Sequence, residues 1–121
     1  MKLLLDHNLP RRFRQVLQGH QLKTTREMRW ETLRNGALLA MAADAEFNAF
    51  ISADKKLEFE QNLKMLPLPV VVLDALTNSF EGLTVFAPFV QRLLTTPLQR
   101  RLYVIESTGN VLELTEPRRR P

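Results

Sequence analysis

Three short apolar runs do most to limit how this chain can fold. Leu3-Leu4-Leu5 closes on Asp6, Ala49-Phe50-Ile51-Ser52 leads to Asp54 two residues later, and Val70-Val71-Val72-Leu73 closes on Asp74. Each run is too short for a buried helix and apolar on consecutive residues, so the strand it forms needs cover on both faces. A parallel sheet between helical layers supplies that cover.

The segments between these runs carry helical spacing. Leu9, Phe13, Val16 and Leu17 predict a first helix, with Asn8 as its cap, Pro10 tolerated in the first turn and Gly19 at its end. Leu38, Leu39, Ala42 and Ala43 predict a second helix, capped by Thr32 or Asn35, whose alanines suit close packing on a sheet. Phe80, Leu83, Phe86, Val90, Leu93 and Leu94 predict the longest helix. Asn78 and Glu81 resemble its capping box, and Pro88 demands a kink or a later start. Residues 22–25 read as a further strand, 55–64 as a polar loop or surface helix, and 102–105 with 111–114 as a hairpin.

This order predicts an α/β fold: a three-layer α/β/α sandwich with a mostly parallel central sheet, right-handed crossovers and a C-terminal hairpin. A length of 121 residues fits one domain, taken as residues 1–116, with 117–121 as a basic, disordered tail. The chain has no cysteine, which excludes disulfides and thiolate metal sites and is compatible with a reducing cytoplasm. The apolar part of the start is too short for a signal peptide, and no stretch approaches the roughly 18 apolar residues of a membrane span. A cytoplasmic protein with no membrane partner is expected. The net charge of +4 is unevenly spread, with Arg11, Arg12 and Arg14 in one group, Arg26, Arg29 and Arg34 in another, and Arg118 to Arg120 at the end. Such groups suit phosphate backbones or an acidic partner, and equally a solvated surface.

Asp6, Asp54 and Asp74 occupy equivalent places after strands, and in a parallel sheet all such ends share one edge. Carboxylates gathered there can hold Mg²⁺ or Mn²⁺, which prefer hard oxygen ligands, and the ion can activate water against a phosphodiester. Aspartate at a strand end also caps the turn or helix that follows. The chain lacks a Gly-rich phosphate loop, a nucleophile elbow and zinc-finger spacing.

Four stretches carry a family resemblance: MKLLLDHNLPRR at the start, Gly19-His20, the Leu- and Ala-rich helix from Asn35 to Ala43, and Ser52-Ala-Asp-Lys-Lys-Leu. Over roughly residues 1 to 75 the chain resembles the small PIN-like domains of bacterial and archaeal toxin–antitoxin type proteins. Their pattern reads "MKxLLDENLP", a Gly-His turn, a Leu/Ala helix and a "TxDxDF"-like segment. The resemblance implies a PIN-type α/β/α fold, metal-dependent ribonuclease activity, a small antitoxin partner and self-association. Asp6 and Asp54 match the family's strand-end acids. His7 stands in place of glutamate, Asn35 where an acid commonly opens the helix, Lys56 in place of a second aspartate, and Leu57 in place of the aromatic after it.

Two functions follow as expectations. In the first, the chain is a metal-dependent ribonuclease. Asp6 and Asp54 hold one Mg²⁺ or Mn²⁺, with Asn35 and His7 completing the site through water. Arg11, Arg12 or Lys56 positions RNA, and Asn8 orients Asp6 or touches phosphate. In the second, the three departures from acid leave a catalytically degenerate domain that binds an antitoxin or a second copy of itself through the late helix and hairpin. His20 reads as structural, Trp30 as a core anchor and Tyr103 as part of a sheet face, although both rings could stack on bases.

Overall fold

The computed structural model describes residues 1–118. Six strands form one sheet: β1 Lys2–Leu5, β2 Gln21–Thr24, β3 Ala49–Ser52, β4 Val70–Asp74, β5 Leu102–Glu106 and β6 Val111–Leu114. They lie in the order β2-β1-β3-β4-β5-β6; β1 to β5 are mutually parallel and β6 returns antiparallel beside β5. The helices are a 3₁₀ helix Arg11–Val16, α1 Asn35–Asp44, α2 Leu57–Glu60 followed by a second 3₁₀ turn Leu63–Met65, α3 Phe80–Thr84 and α4 Ala87–Leu94. The expected three-layer arrangement follows from the two-residue period of the strands. Leu3, Leu5, Ile51, Val71, Leu73, Tyr103 and Ile105 meet Phe13, Leu17, Leu83, Phe86 and Val90 on one face. Leu4, Phe50, Val70, Val72 and Val104 meet Leu38, Leu39, Ala42, Leu57 and Leu63 on the other.

The connections use these faces unequally. From β3 to β4 the chain crosses by α2 on one face, and from β4 to β5 it moves the same way along the sheet but crosses by α3 and α4 on the other. The β4–β5 crossover therefore has the opposite hand to the other three, against the expectation of uniformly right-handed connections. The physical reason is coverage. Among the described residues the only other helix on that face is the 3₁₀ helix, and Ile51, Leu73 and Ile105 are packed there with side chains of α3 and α4.

Local signals shifted where Pro or a competing hydroxyl intervened. Pro10 disfavours helical geometry at Leu9 and is itself extended, so the first helix starts at Arg11 and is 3₁₀. Asn8 accordingly caps nothing. Its carboxamide oxygen is buried and has no hydrogen-bond partner among the described residues. Helix α1 begins at Asn35 itself, after an extended Arg34, without a side-chain cap from Thr32 or Asn35. Ser79, not Asn78, caps α3, its Oγ accepting from the Gly82 amide at 3.1 Å. Pro88 falls in the first turn of α4, and the chain breaks between α3 and α4 at Val85 and Phe86. In the final hairpin Gly109 has φ +94°, and a Cβ there would lie 2.8 Å from the Phe89 ring, so any side chain at this position is strained.

The segment after β6 is fastened to α2. Glu58, 2 % exposed, accepts the Arg118 backbone amide at 2.7 Å and the Arg118 guanidinium at 2.7 to 3.2 Å. The remainder of the expected tail, Arg119 to Pro121, lies outside the described residues. Burial works to raise the Glu58 pKa, but the Arg118 hydrogen bonds and charge outweigh it and hold the carboxyl below its ordinary value. A lowered carboxyl pKa stabilises the fold above the ordinary glutamate value of about 4.3 and loses that contribution as pH falls through the lowered value. Arg118→Ala is expected to cost about 1–3 kcal/mol near neutral pH. In thermal unfolding followed from pH 7 to pH 3, the gap between wild type and variant should close on the acid side. A gap of constant size would contradict this role.

Candidate functional site

The chain leaves β1 toward the face carrying the 3₁₀ helix and leaves β3 toward the face carrying α2. The two strands are neighbours, so a crevice opens between their carboxyl ends, the position where open α/β sheets bind ligands. Asp6 stands in it, 8 % exposed, its own amide extending the ladder to the Ile51 carbonyl at 2.9 Å.

Hydroxyls from both flanking strands hold the Asp6-His7 pair. On the β3 side the fully buried Ser52 donates its Oγ–H to Asp6 Oδ2 at 2.7 Å and accepts the Asp54 amide at 2.9 Å. On the β2 side Thr25, also fully buried, accepts the His7 amide at 2.9 Å and lies 3.0 Å from His7 Nδ1. The same nitrogen is 3.3 Å from Asp6 Oδ1. Both oxygens of Asp6 thus face a polar neighbour within the fold. Asp54 turns its carboxylate onward, where Oδ1 accepts the Lys56 amide at 3.0 Å and caps the turn into α2.

The candidate residues divide between two clefts. Asn35, Asp54 and Lys56 line one of about 720 Å³, together with Arg34 and Gly36 at the start of α1 and Glu60 and Gln61 at the end of α2. His7 and Arg11 line another of about 230 Å³ with Leu9, Arg14, Thr24, Arg26 and Glu27. Asp6 belongs to the lining of neither and is linked to Asp54 through Ser52. Arg12 is separated from Arg11, its guanidinium lying 4.4 Å from the centre of the Phe80 ring. Asp74, the third strand-end acid, is 3.4 Å from Lys55 Nζ and borders a cleft of about 530 Å³ with Leu76, Val85 and Glu106.

The other aromatic and imidazole candidates serve packing. Trp30 meets Phe47 edge-on at 6.1 Å. Tyr103 is buried in the sheet, donating to Glu113 at 3.1 Å and accepting the Gln99 amide at 2.9 Å; burial pushes its phenol pKa up. His20 bridges the chain's amino group and Gln91.

A Mg²⁺ or Mn²⁺ site needs several converging oxygens at short distance. Among the described residues no group of three His, Cys, Asp or Glu side chains is placed to hold a metal ion. One oxygen of Asp6 and one of Asp54 already accept hydrogen bonds, and Lys56 adds a cation beside Asp54 in its cleft. For the ion that the family resemblance implies, Asp6 and Asp54 are thus not joined by a third such side chain among the described residues. The sequence reading assigned no role to the hydroxyls of Thr25 and Ser52. Their position at strand ends flanking an acid is the signal that could have found them. No protein-family model, curated protein or solved structure matches this chain. No helix among the described residues is long and apolar enough to cross a membrane.

If Ser52 is the anchor of Asp6, their removal is not additive. Ser52→Ala and Asp6→Ala should each destabilise the protein by about 1–3 kcal/mol in denaturant unfolding. The double variant should fall short of the sum by about 1 kcal/mol. Additivity within about 0.3 kcal/mol would show that the two side chains act independently.

Proposed function

We propose that this chain is a PIN-like domain of toxin–antitoxin type that works as an interaction module, binding a small antitoxin protein, in place of metal-dependent hydrolysis. One observation carries the reading: the strand-end carboxylates serve internal bonds. Asp6 is held by Ser52 and His7, and Asp54 caps the Lys56 amide. Asn35 and Lys56, where the family pattern has acids, add no negative charge to the cleft they share with Asp54.

A surface for the partner lies where the late helices meet the hairpin. Leu76 is fully exposed and Val85 half-exposed, at a cleft whose other lining residues include Asp74 and Glu106. Apolar contact flanked by carboxylates suits a peptide segment that carries both apolar and basic side chains. Co-expression with a small DNA-binding protein encoded beside this chain should yield a complex, and Leu76→Asp with Val85→Asp should abolish it. A complex that survives both substitutions would place the contact elsewhere.

The ribonuclease reading keeps one observation in its favour, the position of Asp6 at the crevice between β1 and β3. The two readings separate in an RNA-cleavage assay with Mg²⁺ or Mn²⁺ over a broad panel of RNAs. The interaction reading expects no metal-dependent cleavage by wild type and no difference for Asp6→Asn. Cleavage that requires the ion and falls at least about 100-fold in Asp6→Asn would establish the enzyme instead.

A further inference from the structure

The basic side chains around the 3₁₀ helix differ in what they do for the fold. Arg12 is laid over Phe80. Arg14 donates to the Leu22 carbonyl at 2.7 Å and pairs with Glu27 at 3.1 Å. Glu27 in turn accepts the Thr24 amide at 2.9 Å; that bond, with the charge of Arg14, holds its carboxyl below the ordinary value. Arg14 and Glu27 therefore neutralise each other.

Arg11 and Arg26 are different. Both are exposed, both line the cleft of about 230 Å³, and neither guanidinium has a hydrogen-bond or ion-pair partner among the described residues. His7 lines the same cleft and is 40 % exposed. Its ring is oriented through Nδ1 by Thr25 and Asp6, which leaves Nε2 without a partner among the described residues. The cleft thus combines two guanidinium groups, uncompensated and free to bond, with an imidazole whose orientation is fixed from behind. Leu9 contributes an apolar wall.

We propose that this cleft binds a terminal phosphate group, as carried by a nucleotide or by the phosphorylated end of an oligonucleotide. Two uncompensated positive charges match the dianion of a phosphate monoester. Each guanidinium presents a planar fork that suits two phosphate oxygens, and His7 donates a further hydrogen bond when its Nε2 carries a proton. The volume is below the roughly 300–1,000 Å³ typical of sites that enclose a drug-sized ligand, so it suits a compact anion. This binding does not depend on the partner reading or on any hydrolytic activity. The absence of cleavage or of an antitoxin complex leaves it standing.

The experiment is a calorimetric titration of the full chain with three probes: AMP, a short RNA bearing a 5′-phosphate, and the same RNA bearing a 5′-hydroxyl. The 5′-phosphorylated RNA is expected to bind at least about 10-fold more tightly than its 5′-hydroxyl counterpart. Arg11→Gln and Arg26→Gln should each remove most of that preference. Arg100→Gln, which removes an exposed charge outside the cleft, should leave it intact. AMP binding as well as the phosphorylated RNA would assign the site to free nucleotides, and AMP binding much more weakly would assign it to chain ends. Equal affinity for the two RNAs overturns the proposal. So does an Arg100→Gln effect as large as that of Arg26→Gln, because the attraction would then be diffuse charge.

Discussion

The bond from Ser52 to Asp6 is the contact on which the arrangement of the candidate site depends. It joins the carboxyl ends of two adjacent parallel strands at the crevice where their onward chains part to opposite faces. Because Ser52 also accepts the Asp54 amide, one hydroxyl fixes both the aspartate that ends β1 and the turn that begins after β3. Thr25 does the corresponding work on the β2 side through His7. Removing water from this point makes each bond more valuable and each unmet group more costly. That cost explains why the buried Asp6 carboxylate is used within the fold.

The consequences spread outward from this edge. With Asp54 turned to cap the start of α2, its cleft faces the first turn of α1 and not Asp6. With His7 held inward by Nδ1, the opposite side of the ring faces the arginines of the 3₁₀ segment. Asp54, Asn35 and Lys56 therefore share one cleft, His7 and Arg11 another, and Asp6 lines neither. The charge distribution follows the same division: Glu60 and Asp54 temper Arg34 and Lys56 in the larger cleft, while Arg11 and Arg26 are unopposed in the smaller.

Much of the architecture was legible in the sequence because it rests on local pattern. The runs that became β1, β3 and β4 are apolar on consecutive residues, and the hairpin is marked by Gly109 between two short apolar-rich segments. Helix starts were less legible. Asn8, Asn35 and Asn78 each signal that a turn is near, but Pro10, an extended Arg34 and the Ser79 hydroxyl decided where the helices begin. The order of strands and the hand of the β4–β5 crossover depend on which face lacked cover, a property no local window contains. The same holds for the site. Asp6 was legible as a strand-end acid, but its partner Ser52 is 46 residues away, and Glu58 finds Arg118 across 60 residues. The division of Arg11 from Arg12 turned on a ring, Phe80, from the far side of the chain.

The most direct test of this view of Asp6 is a titration with Mn²⁺ followed by paramagnetic broadening of backbone amide signals. If the carboxylates are committed to internal bonds, millimolar Mn²⁺ should produce only weak, unsaturable broadening around the ends of β1 and β3, unchanged in Asp6→Asn. Saturable broadening centred on Asp6 and Asp54 that disappears in Asp6→Asn would contradict it and restore the metal site.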